Sequence, residues 1–168
     1  MSTARRASAV IVAGLIVGLV SGAALGVLWW ALAPRVPVVV RPGVTFPEGY
    51  QPEGFLAADV AFGILALVAG IAITIGLAYM RREHLLSVLV GALLASVVGT
   101  AAMWFVGTRL GSVDIDGLVA TTTEDVVVDA PLEVSLPVMF LIWAIASAAV
   151  VTILALSDWI AETRARRR

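Results

Sequence analysis

The segment Gly14-Leu-Ile-Val-Gly18-Leu-Val-Ser-Gly22-Ala-Ala-Leu-Gly26 repeats glycine at every fourth position inside an apolar run. Because four residues turn an α-helix by about 400°, the four glycines form one stripe that drifts slowly around the helix. A stripe without side chains lets a neighbouring backbone approach closely, and van der Waals packing is what joins helices in a lipid bilayer. The segment predicts a membrane-spanning helix with a packing face of glycine.

Three further apolar runs follow this one, and the whole chain is 61% hydrophobic with a mean hydropathy of +1.03. Soluble domains contain about 45–50% apolar residues, and a helix of about 20 apolar residues crosses a hydrocarbon core. We therefore predict an all-α membrane protein, a four-transmembrane-helix bundle that occupies residues 1–168 as a single membrane domain. The expected helices are about 9–33, 56–80, 85–108 and 136–157, and the expected outer loops are 34–55 and 109–135.

Small residues recur in the other spans as well, most clearly in the third. The residues that we expect at helix-packing contacts are Gly14, Gly18, Gly22, Gly26, Gly91 and Gly99. The same pattern serves packing within one bundle or association of two copies as a homodimer, and both interpretations stay open. Only four residues separate the second span from the third, so these two helices are expected to form an antiparallel hairpin.

Charge gives the predicted orientation. Arginines precede the first span, fill the turn between the second and third, and follow the fourth: Arg5, Arg6, Arg81, Arg82, Arg164, Arg166, Arg167 and Arg168. The two other loops, together with Asp59 at the outer start of the second span, hold nine carboxylates against three arginines, Arg35, Arg41 and Arg109. By the positive-inside rule both termini are predicted to be cytoplasmic and both long loops to face outward, most simply in the plasma membrane.

Two alternatives concern the first span and the tryptophans. Arg5 and Arg6 before an apolar run resemble a secretory signal peptide, but the run is longer than the usual 7–15 residues, which favours an uncleaved anchor. Trp29 and Trp30 are expected at the outer membrane boundary and Trp159 at the inner one. Trp104 and Trp143 lie deeper in their spans, where they could pack between helices.

The outer loops contain patterns typical of short strands. The first loop is rich in proline and includes Val36-Pro-Val-Val-Val40, while the second includes Val126-Val-Val128 and, after Pro131, Leu132-Glu-Val134. Such β-branched runs suit short strands, and strands from the two loops could pair into a small β cap over the bundle. Because an isolated hairpin is marginally stable, disordered loops are the alternative. Ser135 is a candidate N-cap for the fourth helix, with Pro137 in its first turn.

The residues that could carry chemistry are few. Asp114-Ile-Asp116-Gly117, with Glu124, Asp125 and Asp129 downstream, could suggest a cation site, but it does not fit the calcium-loop pattern, and a solvated acidic loop is the favoured interpretation. His84 is the single histidine and has no partner for catalysis or metal binding. Asp59 stands at the outer start of the second helix, either capping that helix or pairing with Arg35, Arg41 or Arg109.

Several function classes are disfavoured. There is no cysteine, which excludes disulfides, iron–sulfur centres and thiol catalysis. No catalytic, cofactor-binding or metal-binding set is predicted, and we expect no cofactor and no enzymatic activity. The few arginines adjoin the predicted membrane surface, where they set topology or touch anionic lipid, so nucleic-acid binding is not supported. We expect no charged group in the interior of a span, which disfavours charge transport through the monomer.

Three stretches resemble one protein family: Leu25-Gly-Val-Leu-Trp-Trp-Ala-Leu-Ala-Pro-Arg-Val36, Phe55-Leu-Ala-Ala-Asp-Val-Ala-Phe-Gly63 and Asp129-Ala-Pro-Leu-Glu-Val-Ser-Leu-Pro137. They look like those of a family of small actinobacterial four-span membrane proteins of unknown function. The resemblance implies a plasma-membrane location and a similar topology, and it provides no functional residues to transfer.

Two functions are compatible with these patterns. The first is a non-enzymatic structural or accessory protein that contacts another cell-envelope protein, with the lipid bilayer and a membrane-protein partner or a second copy as its neighbours. The alternative is an oligomeric small-solute or lipid transporter or channel subunit. A foreign partner present in fixed stoichiometry would favour the first, and a pure homo-oligomer around an internal cavity the second.

Overall fold

The computed structural model describes residues 3–40, 52–80, 85–121 and 124–167 of the chain. In chain order the described elements are α1 (Thr3–Leu32), β1 (Pro37–Val40), α2 (Pro52–Met80), α3 (Leu85–Leu110), α4 (Ile115–Thr121), β2 (Val126–Asp129), a 3₁₀ turn (Pro137–Leu141) and α5 (Ile142–Arg166). The predicted four-helix bundle with a small β cap is confirmed.

Four helical segments are long and apolar enough to cross a membrane: Ile11–Leu32, Gly54–Met80, Leu85–Leu110 and Pro137–Arg166. Their outer faces carry large apolar side chains that no other part of the bundle covers, among them Val20, Ile64, Val97 and Ile153, each more than half exposed. In water such a surface would be strongly unfavourable, whereas hydrocarbon solvates it. The bundle is thus built with its apolar side chains on the outside as well as in the core.

The most extensive helix contact in the bundle joins α1 to α3. A Cβ atom built at Gly14 would lie 2.6 Å from the carbonyl oxygen of Gly91, and one built at Gly18 would lie 2.5 Å from that of Ala95. One at Gly22 would overlap the backbone of Gly99. The pairing partners advance together along both helices, so α1 and α3 run parallel. Glycine is required because the space that a side chain would fill is occupied by the α3 backbone.

The α2 helix packs chiefly on α5, and these two helices also run parallel. A Cβ atom at Gly63 would lie 2.9 Å from Ile142 Cδ1, while one at Gly70, further along α2, would lie 2.9 Å from the Cβ of Ala146. The expected hairpin between α2 and α3 is present as well, with the buried Ala78 and Val88 in one apolar cluster near the turn. The bundle therefore consists of two parallel helix pairs, and α3 contacts both α2 and α5 across it.

The β cap lies at the end of the bundle where α2 and α5 begin, which we call the capped end. Strands β1 and β2 are antiparallel, with Val38 opposite Val128 and Val40 opposite Val126. One face of the sheet points inward, so that Val38 and Val40 are buried. Val127, on the other face, is 66% exposed. Each strand comes from one of the two predicted outer loops, so the cap ties these loops together.

Several local predictions need correction. Residues 132–134 form no strand. The backbone N–H of Leu132 donates to the carbonyl of Gly111 (3.1 Å), so this segment is bound to the end of α3 and not to the sheet. The short helix α4 was not predicted. The fourth long helix begins with the 3₁₀ turn at Pro137, and its N-cap is Leu136, which makes no side-chain cap bond, instead of Ser135. The α5 helix also continues to Arg166, well beyond the predicted end at residue 157.

Replacing Gly22 by alanine is expected to destabilise the bundle by about 1–3 kcal/mol, since the new methyl group would overlap the Gly99 backbone and force α1 and α3 apart. Unfolding in detergent micelles, followed by circular dichroism, measures the change. Gly76→Ala is the matched control, because a Cβ there meets nothing within 4 Å. That variant should be neutral or slightly stabilised, as alanine favours helix over glycine. Equal stability of the two variants would contradict the packing described for α1 and α3.

Candidate functional site

Asp59 is a fully buried carboxylate at the capped end. Its Oδ1 accepts a hydrogen bond from the backbone N–H of Ser135 (3.0 Å), and its Oδ2 accepts one from that of Leu136 (2.8 Å). These N–H groups immediately precede the 3₁₀ turn that starts the fourth long helix, where no intrahelical acceptor is available and negative charge is favoured. The Asp59 side chain therefore joins α2 to the entry of α5.

This geometry corrects the interpretation of Asp59 as a cap of its own helix and the pairing with Arg35 or Arg109, while Arg41 lies outside the described residues. The residue lies seven positions after Pro52, where α2 begins, so it does not cap its own helix. Among the described arginines, none forms an ion pair with it. Arg35 lies 5.7 Å from the centre of the Trp30 ring and Arg109 lies 5.1 Å from that of Phe105. Asp59 is the sixth residue of the membrane-compatible segment Gly54–Met80, so the carboxylate lies near the start of that segment.

A layer of aromatic side chains packs next to Asp59. Trp29 is fully buried, and its Nε1–H donates to the carbonyl of Ala58 at 2.9 Å. Its ring meets Phe62 edge to face, with 5.0 Å between the ring centres. Phe62 in turn lies 5.7 Å from Phe140 of the 3₁₀ turn. The prediction that Trp29 belongs to the interfacial belt is wrong, since it is a core residue that fastens α1 to α2.

The inner face of the β cap rests on a separate small core. Val36, Val38 and Ala130 are buried together, and Phe55 and Val128 pack against them. The backbone N–H of Ala130 donates to the carbonyl of Val36 at 2.8 Å, which extends the sheet pairing by one step. A two-stranded sheet is stable only when it packs on something, and here α2 supplies Phe55 for that purpose.

The outer edge of β2 has unpaired backbone groups. In an antiparallel pair, hydrogen-bonded positions alternate with non-bonded ones. The N–H of Ala130 donates to the carbonyl of Val36, so these two residues form a hydrogen-bonded pair. Counting by two along the register, the other hydrogen-bonded pairs are Val38 with Val128 and Val40 with Val126. The N–H and C=O groups of Val127 and Asp129 consequently point away from β1. In the part of the chain that the structure describes, nothing else pairs with them.

The surface around this edge is acidic. Exposed carboxylates flank β2 on both sides, while β1 begins with a proline, which has no N–H to offer, and lies near α4. The exposed acids of the described cap and the segment after it are Asp114, Glu124, Asp125, Asp129 and Glu133. A strand edge that no described residue covers, beside acidic side chains, suits the addition of an extended, basic segment.

An open groove of about 430 Å³ lies between the end of α3 and residues 131–134. Thr108 and Ser112 line it, but their hydroxyls donate to carbonyls of their own helix or turn, at 2.8 Å to Trp104 and 2.9 Å to Arg109. Glu133 contributes a carboxylate to the wall. The groove presents an amphipathic surface at the base of the cap.

The candidate cation motif has a structural role. Asp114 Oδ1 accepts a hydrogen bond from the N–H of Gly117 at 2.9 Å, so Asp114 caps the first turn of α4. Over the described ranges, no three histidine, cysteine, aspartate or glutamate residues are grouped so that they could hold a metal ion. The sequence Asp-Ile-Asp-Gly at this point is accounted for as a helix start.

The other residues named from sequence are distributed as follows. Gly14, Gly18, Gly22, Gly26, Gly91 and Gly99 lie at the α1–α3 contact. Gly99 also faces α5, because a Cβ there would lie 2.5 Å from Trp143 Cη2. His84, Arg41, Arg81 and Arg82 fall outside the described residues. Sequence reasoning missed the Asp59 bridge, although a lone acid within the apolar stretch Phe55–Gly63 is costly in a membrane and should have implied a buried partner.

Comparison with known proteins gives no match, since no family model, no characterised protein and no solved structure is similar to this chain.

Replacing Asp59 by alanine is expected to destabilise the protein by about 3 kcal/mol, because two backbone N–H groups lose a charged acceptor that is itself fully buried. Asp59→Asn, which keeps one acceptor oxygen, should cost less than the alanine variant. Denaturation in detergent micelles measures both effects. The control is Asp158→Asn at an exposed position of α5, for which a change within about 0.5 kcal/mol is expected. An Asp59→Ala protein as stable as this control would refute the bridging role.

Proposed function

We propose that this chain is a multi-pass plasma-membrane protein without enzymatic activity, an accessory component that binds another cell-envelope protein through its β cap. The observation that carries the proposal is the edge of β2 that has no pairing partner among the described residues, with Val127 66% exposed beside it. An extended segment of a partner would add to this edge as a third strand. Main-chain hydrogen bonds would supply affinity, and alternate side-chain contacts would supply selectivity.

The rigidity of the cap supports this role. The sheet is fixed from below by the cluster around Val36 and Val38, and the segment that leads from β2 to α5 is held by the two Asp59 hydrogen bonds. A preorganised edge loses little conformational entropy when a partner strand is added. The same carboxylate is less suited to acid–base catalysis, because both of its oxygens already accept backbone hydrogen bonds.

The charge distribution supports a partner outside the cytoplasm. Arg164 and Arg166 lie in the last turn of α5, at the opposite end of the bundle from the cap. With the positive-inside rule, the cap faces outward and both termini face the cytoplasm. The acidic side chains around β2 then favour a partner segment in which β-branched residues alternate with lysine or arginine.

The proposal is tested by placing a photo-crosslinking amino acid at position 127 in cells of the native host. We expect an adduct with one envelope protein, because position 127 lies next to the proposed third strand. A probe at position 38, which faces the buried side of the sheet, is the control and should give no such adduct. Adducts only with a second copy of this chain would favour the alternative, an oligomeric solute or lipid transporter, and no adduct would contradict the proposal.

Substitutions at position 129 separate the contribution of backbone hydrogen bonds to partner binding from the contribution of charge. Asp129→Pro removes an N–H that points away from β1, so the β1–β2 hydrogen bonds remain, whereas Asp129→Ala removes the charge and keeps the N–H. With the probe at position 127, the proline variant should reduce adduct yield by about tenfold, as expected for the loss of one or more strand hydrogen bonds. The alanine variant should reduce it less. Equal yields from the two variants would exclude strand addition at this edge.

A further inference from the structure

Four buried polar atoms in the interior of the bundle have no hydrogen-bond partner among the described residues. They are Thr74 Oγ1 of α2, Thr100 Oγ1 of α3, and Trp143 Nε1 and Ser147 Oγ of α5. All four side chains are at least 97% buried. A buried polar group without a partner costs about 1–3 kcal/mol, and the hydrocarbon around the bundle offers no replacement.

Two glycines of the neighbouring helices face the Trp143 side chain. A Cβ atom at Gly70 of α2 would lie 3.0 Å from Trp143 Cδ1, and one at Gly99 of α3 would lie 2.5 Å from Cη2 at the far side of the ring. The indole therefore bridges α2 and α3. Thr100 directly follows Gly99 in α3, which runs antiparallel to α2, so Thr100 lies toward the capped end and away from the other two hydroxyls.

The remaining two hydroxyls lie one helical turn further along the parallel pair α2 and α5. Thr74 follows Gly70 by four residues, and Ser147 follows Trp143 by four. Contact between α2 and α5 continues beyond them, since Leu77 and Val151 share one buried cluster. The register thus places Thr74 and Ser147 at the same level of the bundle, next to the indole.

Neighbouring hydroxyls in the same helices behave differently. Ser96 Oγ donates to the carbonyl of Leu93 at 2.7 Å, and Thr152 Oγ1 donates to that of Ala148 at 2.8 Å. In a membrane span, the hydroxyl of serine or threonine usually donates a hydrogen bond to a backbone carbonyl of its own helix. The hydroxyls beside Trp143 do not adopt it, which indicates that another group is to be bound there.

We propose that Thr74, Trp143 and Ser147 form a binding site for water inside the membrane-spanning bundle. The ligand must accept a hydrogen bond from the indole N–H, which is only a donor, and must also donate to or accept from hydroxyls. It must be neutral, as Thr74, Trp143 and Ser147 provide no charge. Water meets all three requirements and usually makes about three hydrogen bonds in such sites. It would connect α2 and α5 without a charged residue.

The test is nuclear magnetic resonance of the full chain, labelled with ¹⁵N-tryptophan, in detergent micelles. Trp143→Phe assigns the indole resonance of Trp143. We expect a cross-relaxation peak between water and the Trp143 indole proton. Trp29 is the internal control, since it is equally buried but donates to the Ala58 carbonyl, and it should show no such peak. Absence of the water peak at Trp143 would overturn the proposal.

A second arm locates the water. The double variant Thr74→Val and Ser147→Ala removes two hydroxyls with little change in shape, and the water peak at Trp143 should be lost while the other indole resonances stay in place. Thr152→Val is the matched control, because its hydroxyl bonds to its own helix, and this variant should keep the peak. A peak that persists in the double variant would overturn the assignment of the site to these residues.

Discussion

Close approach of the α1 and α3 backbones is the constraint on which the rest of the bundle depends. Over four successive turns, the glycine stripe of α1 leaves no room for a side chain between the two helices. In lipid there is no hydrophobic force to bring helices together, so this area of direct backbone contact is the main attraction that holds α1. With α1 and α3 fixed in parallel, α3 keeps a second face for α5 and α2.

The contacts of α2 and α5 with the rest of the bundle depend on complementary packing of large and small side chains and on a few polar contacts. Trp143 of α5 uses the space left by Gly70 and Gly99, so two glycines serve to admit one large ring. At the capped end, Trp29 binds the Ala58 carbonyl, and the neighbouring Asp59 binds the segment before α5. These bonds connect parts of the chain that are far apart in sequence. They explain how a sheet of only two short strands keeps a defined position on the bundle.

Features that depend on composition and period could be predicted from the sequence. The four spans follow from apolar runs, and the β cap follows from β-branched runs between prolines and acids. The residues that fasten the cap could not be assigned in the same way. Asp59 and Trp29 both resemble residues of a membrane boundary, and their burial depends on which helices become neighbours. The α4 helix was missed because Asp114 and Asp116 suggested a loop, while Asp114 in fact caps the first turn of this helix.

The central claim is that the glycine stripe packs on α3 of the same chain. Solid-state nuclear magnetic resonance in lipid bilayers tests it directly, on protein labelled with ¹³C-glycine and diluted with an excess of unlabelled protein. The structure predicts short-range cross-peaks between Gly14 and Gly91 and between Gly22 and Gly99, with intensities per labelled chain that dilution does not change. Cross-peaks that disappear on dilution would place the stripe between two copies of the protein, and their absence at any dilution would refute the contact.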